Sequence, residues 1–157
     1  MGGLNAAQLW STNDVALLTW ALLAFLPRWK WTPTLSLIAP LINSVVYAGS
    51  IISLMAFGGG ESLDFTSLEG IAKGFQDPNL VFVGWVHYLA FDALVGRMIT
   101  LDSGARGVSA MVHAVYIVPC LFLTLMLGPV GFLLYMSTRD IILPAKKDEE
   151  TYKAKVF

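Results

Sequence analysis

The stretch from Leu80 to Thr100 constrains the fold of this chain most, because it is apolar over about 20 residues. A run of that length matches the hydrocarbon core of a bilayer and predicts a membrane-spanning helix. Polar or ionisable side chains inside such a span are costly unless they have a partner or a function. Four of them interrupt this one, namely His87, Tyr88, Asp92 and Arg97. Asp92 stands near the middle of the span and is the first candidate for a functional residue.

On an ideal helix these four side chains do not form one cluster. Asp92 lies about 40° and one turn from Tyr88, so the phenol can hydrogen-bond the carboxyl group. His87 and Arg97 each lie about 140° from Asp92 and need partners on other helices. We predict that Asp92 faces the interior of the bundle. Its expected partner is one of three polar residues on neighbouring spans, namely Asn43, His113 and Tyr116.

The composition of the whole chain agrees with a membrane protein. Of the 157 residues, 56% are hydrophobic and only 13% are charged, which would leave a soluble domain of this size with too much exposed apolar surface. The formal net charge is −1 and basic residues do not cluster with exposed aromatics, so the pattern does not indicate nucleic-acid binding. The single cysteine, Cys120, stands in an apolar stretch and is interpreted as a packing residue.

Four apolar stretches predict an all-α integral membrane bundle of four transmembrane helices. They run from about Leu9 or Val15 to Leu26, from Thr34 to Phe57, from Leu80 to Thr100, and from Val112 to Met136 with bends at Pro119 and Gly128-Pro129. Four crossings would place both termini on the same side of the membrane. We assign residues 1–145 to this transmembrane domain and residues 146–157 to a charged C-terminal tail.

The connection between the second and third spans is acidic, and its apolar residues recur at helical spacing. Phe65, Leu68, Ile71, Ala72 and Phe75 would share one face of a short helix. A helix with one apolar face and one acidic face suits the boundary between lipid and water. We therefore expect a short amphipathic helix that lies on the membrane surface.

Asp92 is a candidate general acid or base, and a plain interhelical hydrogen bond is the alternative interpretation. The two histidines stand apart without a spaced set of carboxylates or cysteines, so no metal site is predicted. Arg106 and Arg139 are expected to face lipid headgroups. Five residues are predicted to contact a ligand, namely Trp85, Arg97, Asn43, His113 and Tyr116.

Five segments between Asn13 and Arg139 carry a resemblance to a known family: PRWKWT at residues 27–32, HYLAFDALVGR at 87–97, Asp102-Ser, VPCL at 118–121 and LGPVGFLLY at 127–135. In these segments the chain closely resembles the abscisic-acid-deficiency neoxanthin synthases, a family of small membrane proteins. That family is plastidial in plants and algae, with related proteins in cyanobacteria. Its plant members are linked to making neoxanthin from violaxanthin.

The resemblance implies isomerisation of an epoxide to an allene, which involves no net redox change. Such a reaction requires an acid at the epoxide oxygen and a base for a nearby C–H bond, but no nicotinamide or flavin. By this resemblance the candidate catalytic residues are Asp92, His87 and Tyr88. The expected partners are a xanthophyll and membrane lipids, and a carotenoid, chlorophyll or lipid is the expected bound molecule.

A second interpretation is a non-catalytic accessory subunit of a larger photosynthetic or respiratory membrane complex. A chain of 17.1 kDa can bridge neighbouring proteins, such as a photosystem and its antenna, and bind pigment or lipid without turnover. The expected location is the plastid thylakoid or envelope membrane, or a cyanobacterial membrane. A transporter is disfavoured, because deep charge is confined to the central span.

Overall fold

The computed structural model describes residues 6–57 and 64–144. Within these two ranges all regular structure is helical, which confirms the prediction of an all-α fold. Six helices in these ranges have seven or more residues: α1 (Val15–Phe25), α2 (Ile38–Phe57), α3 (Leu68–Gly74), α4 (Pro78–Ala105), α5 (Val118–Leu127) and α6 (Pro129–Ile142). The predicted tail at residues 146–157 lies outside the described residues.

Short helical segments lead into three of these helices. Ala6–Leu9 and the 3-10 turn Trp10–Asp14 precede α1, Thr32–Leu35 precedes α2, and Ala110–Val112 with the π-helical turn His113–Ile117 precedes α5. In the described part of the chain, three stretches are long and apolar enough to cross a membrane, namely Thr32–Ala56, Pro78–Ala105 and Ala110–Leu127. The chain is therefore an integral membrane protein.

The first predicted span contains a shorter helix than the others. α1 has 11 residues, whereas a transmembrane helix needs about 17 or more. Together with Ala6–Leu9 and the 3-10 turn it forms a helical path of about 30 Å. The prediction of four spans therefore requires that this composite segment, and not α1 alone, crosses the membrane.

The short amphipathic helix predicted between the second and third spans is α3. Its start is fixed by Ser67, whose Oγ accepts a hydrogen bond from the N–H of Gly70 at 3.0 Å. Just before it, Asp64 accepts hydrogen bonds from the hydroxyl groups of Thr66 at 2.6 Å and Ser67 at 2.7 Å. α3 leaves Leu68 84% exposed, as expected for an apolar side chain directed towards lipid.

The first segment of the chain runs parallel to α4. The N–H of Ala6 donates to Asn79 Oδ1 at 3.4 Å near the start of α4, and Trp20 packs on Gly96 farther along it. A β-carbon on Gly96 would lie 2.6 Å from the Trp20 ring. The close approach of α1 and α4 therefore requires glycine at this position.

α2 runs antiparallel to α4 along most of its length. Ahead of α2, the backbone oxygen of Pro33 accepts a hydrogen bond from Arg97 Nη2 at 3.0 Å. At the middle of α2, the rings of Tyr47 and His87 lie 5.2 Å apart between centroids. There Phe75, just after α3, also approaches α4. α2, α3 and the first part of α4 thus meet at one end of the bundle.

The fourth predicted span, Val112 to Met136, is wrong in its second half. α5 ends at Leu127 and the chain reverses at Gly128, whose φ of 50° lies in the region that favours glycine. Pro129 then occupies the first position of α6, where its missing N–H and fixed φ are tolerated. The sequence predicted a bend at this proline, but the proline starts a new helix. We call α5 and α6 the hairpin, and Gly128 its tip.

The two helices of the hairpin pack closely against each other. Gly131 approaches the backbone of α5 so closely that a β-carbon would collide with Thr124 and Cys120. Farther from the tip, the hydroxyl groups of Tyr116 and Thr138 are hydrogen-bonded at 2.7 Å. The direction of α6 is therefore fixed by contacts along its length.

The hairpin places the end of the described chain far from its beginning. The backbone oxygen of Leu143 accepts a hydrogen bond from Arg106 Nη1 at 2.8 Å, just after α4 ends. Ala6 lies beside Asn79 at the start of α4. The expectation that both termini share one side is therefore wrong for the described residues, because the hairpin returns where a single crossing was predicted.

Candidate functional site

Asp92 lies at the midpoint of α4, as the fifteenth of its 28 residues. Its side chain is buried and faces the interior of the bundle, in agreement with the predicted orientation. It meets the tip of the hairpin, where a β-carbon on Gly128 would lie 3.3 Å from Asp92 Oδ1 and 3.4 Å from Tyr88 Cε2. Tyr88 lies one turn earlier and donates from its hydroxyl group to the backbone oxygen of Leu125 at 3.3 Å. Asp92 and Tyr88 thus form a polar pair beside the tip.

The backbone adds polar groups to this pair, because two helix ends meet at the tip. The last carbonyl groups of α5 and the first N–H groups of α6 have no partners within their own helices. Tyr88 satisfies one of these carbonyls, and the positive end of the α6 dipole lies close to the Asp92 carboxyl group. Asp92 Oδ2 has no hydrogen-bond partner among the described residues. That oxygen is therefore a buried acceptor whose hydrogen-bonding capacity is unused among the described residues.

His87 does not join this pair, although the sequence analysis grouped it with Asp92 and Tyr88. Its ring contacts those of Phe91 and Tyr47, with centroids 4.7 and 5.2 Å apart. Helical geometry explains the separation, since His87 lies about 140° around α4 from Asp92. The three predicted catalytic residues therefore occupy two faces of α4.

The three residues expected to partner Asp92 lie elsewhere. His113 Nε2 is hydrogen-bonded to a backbone oxygen of α1 at 3.2 Å, and the hydroxyl group of Tyr116 donates to one of α6 at 3.3 Å. Asn43 is fully buried on α2, and its side-chain polar atoms have no partner within residues 6–57 and 64–144. The predicted hydrogen bond was wrong because α5 presents its tip to Asp92, which leaves His113 and Tyr116 at the far end of the hairpin.

Trp85 and Arg97, also predicted to contact a ligand, lie on either side of the pair along α4. The Trp85 ring stacks between Trp10 and Tyr88, at 6.3 and 5.8 Å between centroids. Arg97 bonds the backbone ahead of α2, as described above. Trp85 therefore lies next to the pair, whereas Arg97 joins two helices; their contacts with a ligand stay predictions.

An ionic network that was not predicted from the sequence connects the hairpin to the end of α4. Asp102 Oδ2 accepts hydrogen bonds from Arg106 Nε at 3.0 Å, from Arg139 Nη1 at 2.9 Å and from the hydroxyl group of Tyr135. Arg106 Nη1 also donates to Asp140 Oδ1 at 2.7 Å. The expectation that Arg106 and Arg139 face headgroups is therefore wrong. The i, i+4 spacing of Asp102 and Arg106 was the one signal in the sequence.

The polar pair offers a carboxyl group, a phenol and helix-end backbone groups inside an apolar bundle. Such a set is suited to moving a proton to or from a bound molecule. Across the described ranges, no three His, Cys, Asp or Glu side chains are grouped so as to hold a metal ion. The carboxyl group of Asp92 and the phenol of Tyr88 supply acid–base chemistry at the pair.

These features define an integral membrane protein with a buried acid beside a half-buried phenol at the middle of its central helix. The chain belongs to the ABA DEFICIENT 4-like family, whose sequence profile matches residues 8–135. The matched region includes Tyr88, Asp92 and the tip of the hairpin, and the resemblance found in the sequence is thereby confirmed for the family. No curated protein and no solved structure matches the chain.

Proposed function

We propose that the protein isomerises an epoxy xanthophyll in the membrane, converting its epoxide to an allene. The observation that carries this proposal is the polar pair, in which the buried Asp92 has one carboxyl oxygen without a partner among the described residues. A carboxyl group at the middle of a membrane helix is costly, which favours a functional role. Membership of the family supports the choice of a xanthophyll, through the resemblance to the neoxanthin synthases.

The reaction moves one proton from carbon to oxygen. A base removes the hydrogen from the double-bond carbon next to the epoxide, and its electron pair forms the second double bond of the allene. The C–O bond at the adjacent ring carbon breaks at the same time. The oxygen stays on the other ring carbon and takes up a proton to become a hydroxyl group. Substrate and product are isomers, so no oxidant or reductant is consumed.

Asp92 and Tyr88 fit these two tasks. We assign Asp92 as the base and Tyr88 as the acid that protonates the epoxide oxygen. The two side chains lie side by side at Gly128, so the proton taken by Asp92 can return to Tyr88 and complete the cycle. His87 is given no part in the reaction, because it lies on another face of α4.

A second candidate function is a non-catalytic accessory subunit of a photosynthetic or respiratory membrane complex. It is favoured by an apolar groove of about 460 Å³ between α1 and α2, whose walls include Leu18, Leu22, Phe25, Leu35 and Ile38. A carotenoid polyene, a chlorophyll tail or a lipid chain would suit these walls. A subunit that only holds pigment would use this groove and would not depend on Asp92.

We also propose four membrane segments, as the sequence predicts, in a different arrangement. α2 and α4 cross the membrane, and the composite segment that ends in α1 crosses beside α4. The hairpin forms the fourth segment and enters and leaves on the side where α4 ends. This arrangement keeps the helix ends at Gly128 inside protein, where irregular backbone is tolerated. The proposed location is the plastid thylakoid or envelope membrane, or a cyanobacterial membrane.

Purified protein in lipid nanodiscs, incubated with violaxanthin, tests the isomerase. The wild type should form neoxanthin, and Asp92→Asn should lower the rate at least about 100-fold because the amide cannot take the proton. Glu69→Gln, an exposed change on α3, serves as the matched control and should keep the wild-type rate.

The same preparation separates the two candidate functions. No neoxanthin from the wild type, or equal rates for the wild type and Asp92→Asn, would refute the isomerase. Stoichiometric recovery of the protein with a photosystem or respiratory complex from its native membrane, without turnover, would favour the accessory subunit.

A further inference from the structure

A cavity of about 250 Å³ lies between α2, α3 and the first part of α4. His87 lines it, so it opens on a different face of α4 from Asp92. Most of its wall is apolar and comes from Ile51, Phe65, Ile71, Phe75, Leu80 and Val83. Its volume is close to the lower limit of about 300 Å³ for small-molecule pockets, so it suits a single ring better than a whole lipid.

Glycine residues leave room for a ligand in this cavity. Gly84 on α4 and two glycines of α3 line it, opposite the ring of Phe75. A β-carbon on Gly84 would lie 3.2 Å from Phe75 Cε1, so a side chain at this position would take up part of the space. Backbone without side chains leaves room beside the ring of Phe75 for one ring of a ligand.

The charge of the lining disfavours an anionic ligand. Hydrogen bonds from Thr66 and Ser67 lower the pKa of Asp64 to about 2, so this lining residue is negatively charged at neutral pH. Neither lysine nor arginine is among the described residues that line the cavity. An anionic headgroup would therefore meet repulsion and no counter-charge.

Two polar side chains in the cavity are available to a ligand. The rings of Tyr47 and His87 contact each other. Neither the hydroxyl group of Tyr47 nor the imidazole of His87 forms a hydrogen bond to another described residue. A ligand hydroxyl group can donate to one of them and accept from the other. Phe65, which also lines the cavity, is 72% exposed, so an apolar molecule can enter from the lipid side.

We propose that this cavity is a second ligand site, which holds the hydroxylated end ring of a xanthophyll with His87 and Tyr47 bonded to its hydroxyl group. The single ring and the hydroxyl group follow from the volume and the lining of the cavity, whereas the choice of a xanthophyll rests on the proposed function. The site is separate from the polar pair, and the polyene of the bound molecule extends into the bilayer. His87 is thus a ligand-binding residue here.

The test compares the binding of zeaxanthin and β-carotene, which share one polyene and differ in their ring hydroxyl groups. The purified wild type in nanodiscs should bind zeaxanthin about five- to tenfold more tightly. His87→Phe should keep the ring contacts and lose most of this preference. Gly84→Leu should weaken zeaxanthin binding at least about tenfold by filling the cavity. Gly104→Leu is the matched control on α4, since a β-carbon there meets nothing within 4 Å.

Two results would overturn the inference: equal binding of zeaxanthin and β-carotene by the wild type, or a preference that His87→Phe retains. The second result decides the question if Gly84→Leu does not fold. Violaxanthin turnover is measured separately. If violaxanthin is not turned over but zeaxanthin still binds more tightly than β-carotene, the isomerase alone is refuted. If violaxanthin is turned over but the two carotenoids bind equally, the second site alone is refuted.

Discussion

Gly128 and Asp92 depend on each other, although they are far apart in the sequence. The backbone of Gly128 allows the chain to reverse, and its lack of a side chain leaves room for the Asp92 carboxyl group. The reversal in turn brings the start of α6 to the middle of α4. One residue thus sets both the path of the chain and the surroundings of the candidate base.

Gly128→Ala should lower the free energy of unfolding by about 1–3 kcal/mol, because φ of 50° with ψ of −102° is strained for any residue with a side chain. The new methyl group would also press on Asp92 Oδ1. Unfolding in mixed detergent micelles measures the loss. Gly104→Ala, where a β-carbon meets nothing within 4 Å, should be neutral or slightly stabilising. Equal stabilities of the two variants would contradict the strain at the tip.

The sequence predicted the pairing of Tyr88 with Asp92, because residues one turn apart on a helix share a face. Contacts between helices could not be predicted in the same way. The positions of His113 and Tyr116 depend on how far α5 reaches along α4, and no local pattern encodes that distance. Asn43 was expected beside Asp92, but it lies one turn from Tyr47 on the His87 side of α4.

At the scale of elements, the hairpin differs most from prediction. Apolar residues continue through Gly128, so hydropathy indicated one long span. A proline inside a membrane helix and a proline that starts a new helix look alike in sequence. α3 and α4 were predicted well, because apolar residues recur at helical spacing in the first and continue over about 20 residues in the second.

Gly131→Ala should destabilise the hairpin by about 1–3 kcal/mol, because the added methyl group meets the backbone of α5, which cannot move aside as a flexible side chain can. Unfolding in mixed micelles and the rate of proteolysis at α6 both measure this. Gly49→Ala on α2 is the matched control, since a β-carbon there meets nothing within 4 Å. A Gly131→Ala variant as stable as Gly49→Ala would argue against close packing of α5 and α6.

For the whole molecule, the hairpin sets the sides on which segments are accessible. Single cysteines in a Cys120→Ala background should react with an impermeant maleimide from opposite sides of sealed vesicles when placed at Gln8 and at Pro144. Thr66→Cys should be labelled from the same side as Gln8→Cys, and Ser109→Cys from the same side as Pro144→Cys. Thr66 and Ser109 lie at the two ends of α4. Labelling of Gln8→Cys and Pro144→Cys from the same side would mean that the hairpin crosses the membrane.

The hairpin also makes the two halves of the molecule unequal in width. The second half of α4 is surrounded by α1, α2, α5 and α6. The first half of α4 has α2 and the segment before α1 beside it, and α3 lies at the end of this half. In the proposed arrangement the protein is a wedge that occupies more area in one leaflet than in the other. A wedge of this kind is accommodated best where the membrane bends, with the broad half in the outer leaflet of the curve. The shape of a single glycine turn would then influence where in a folded membrane system the protein gathers.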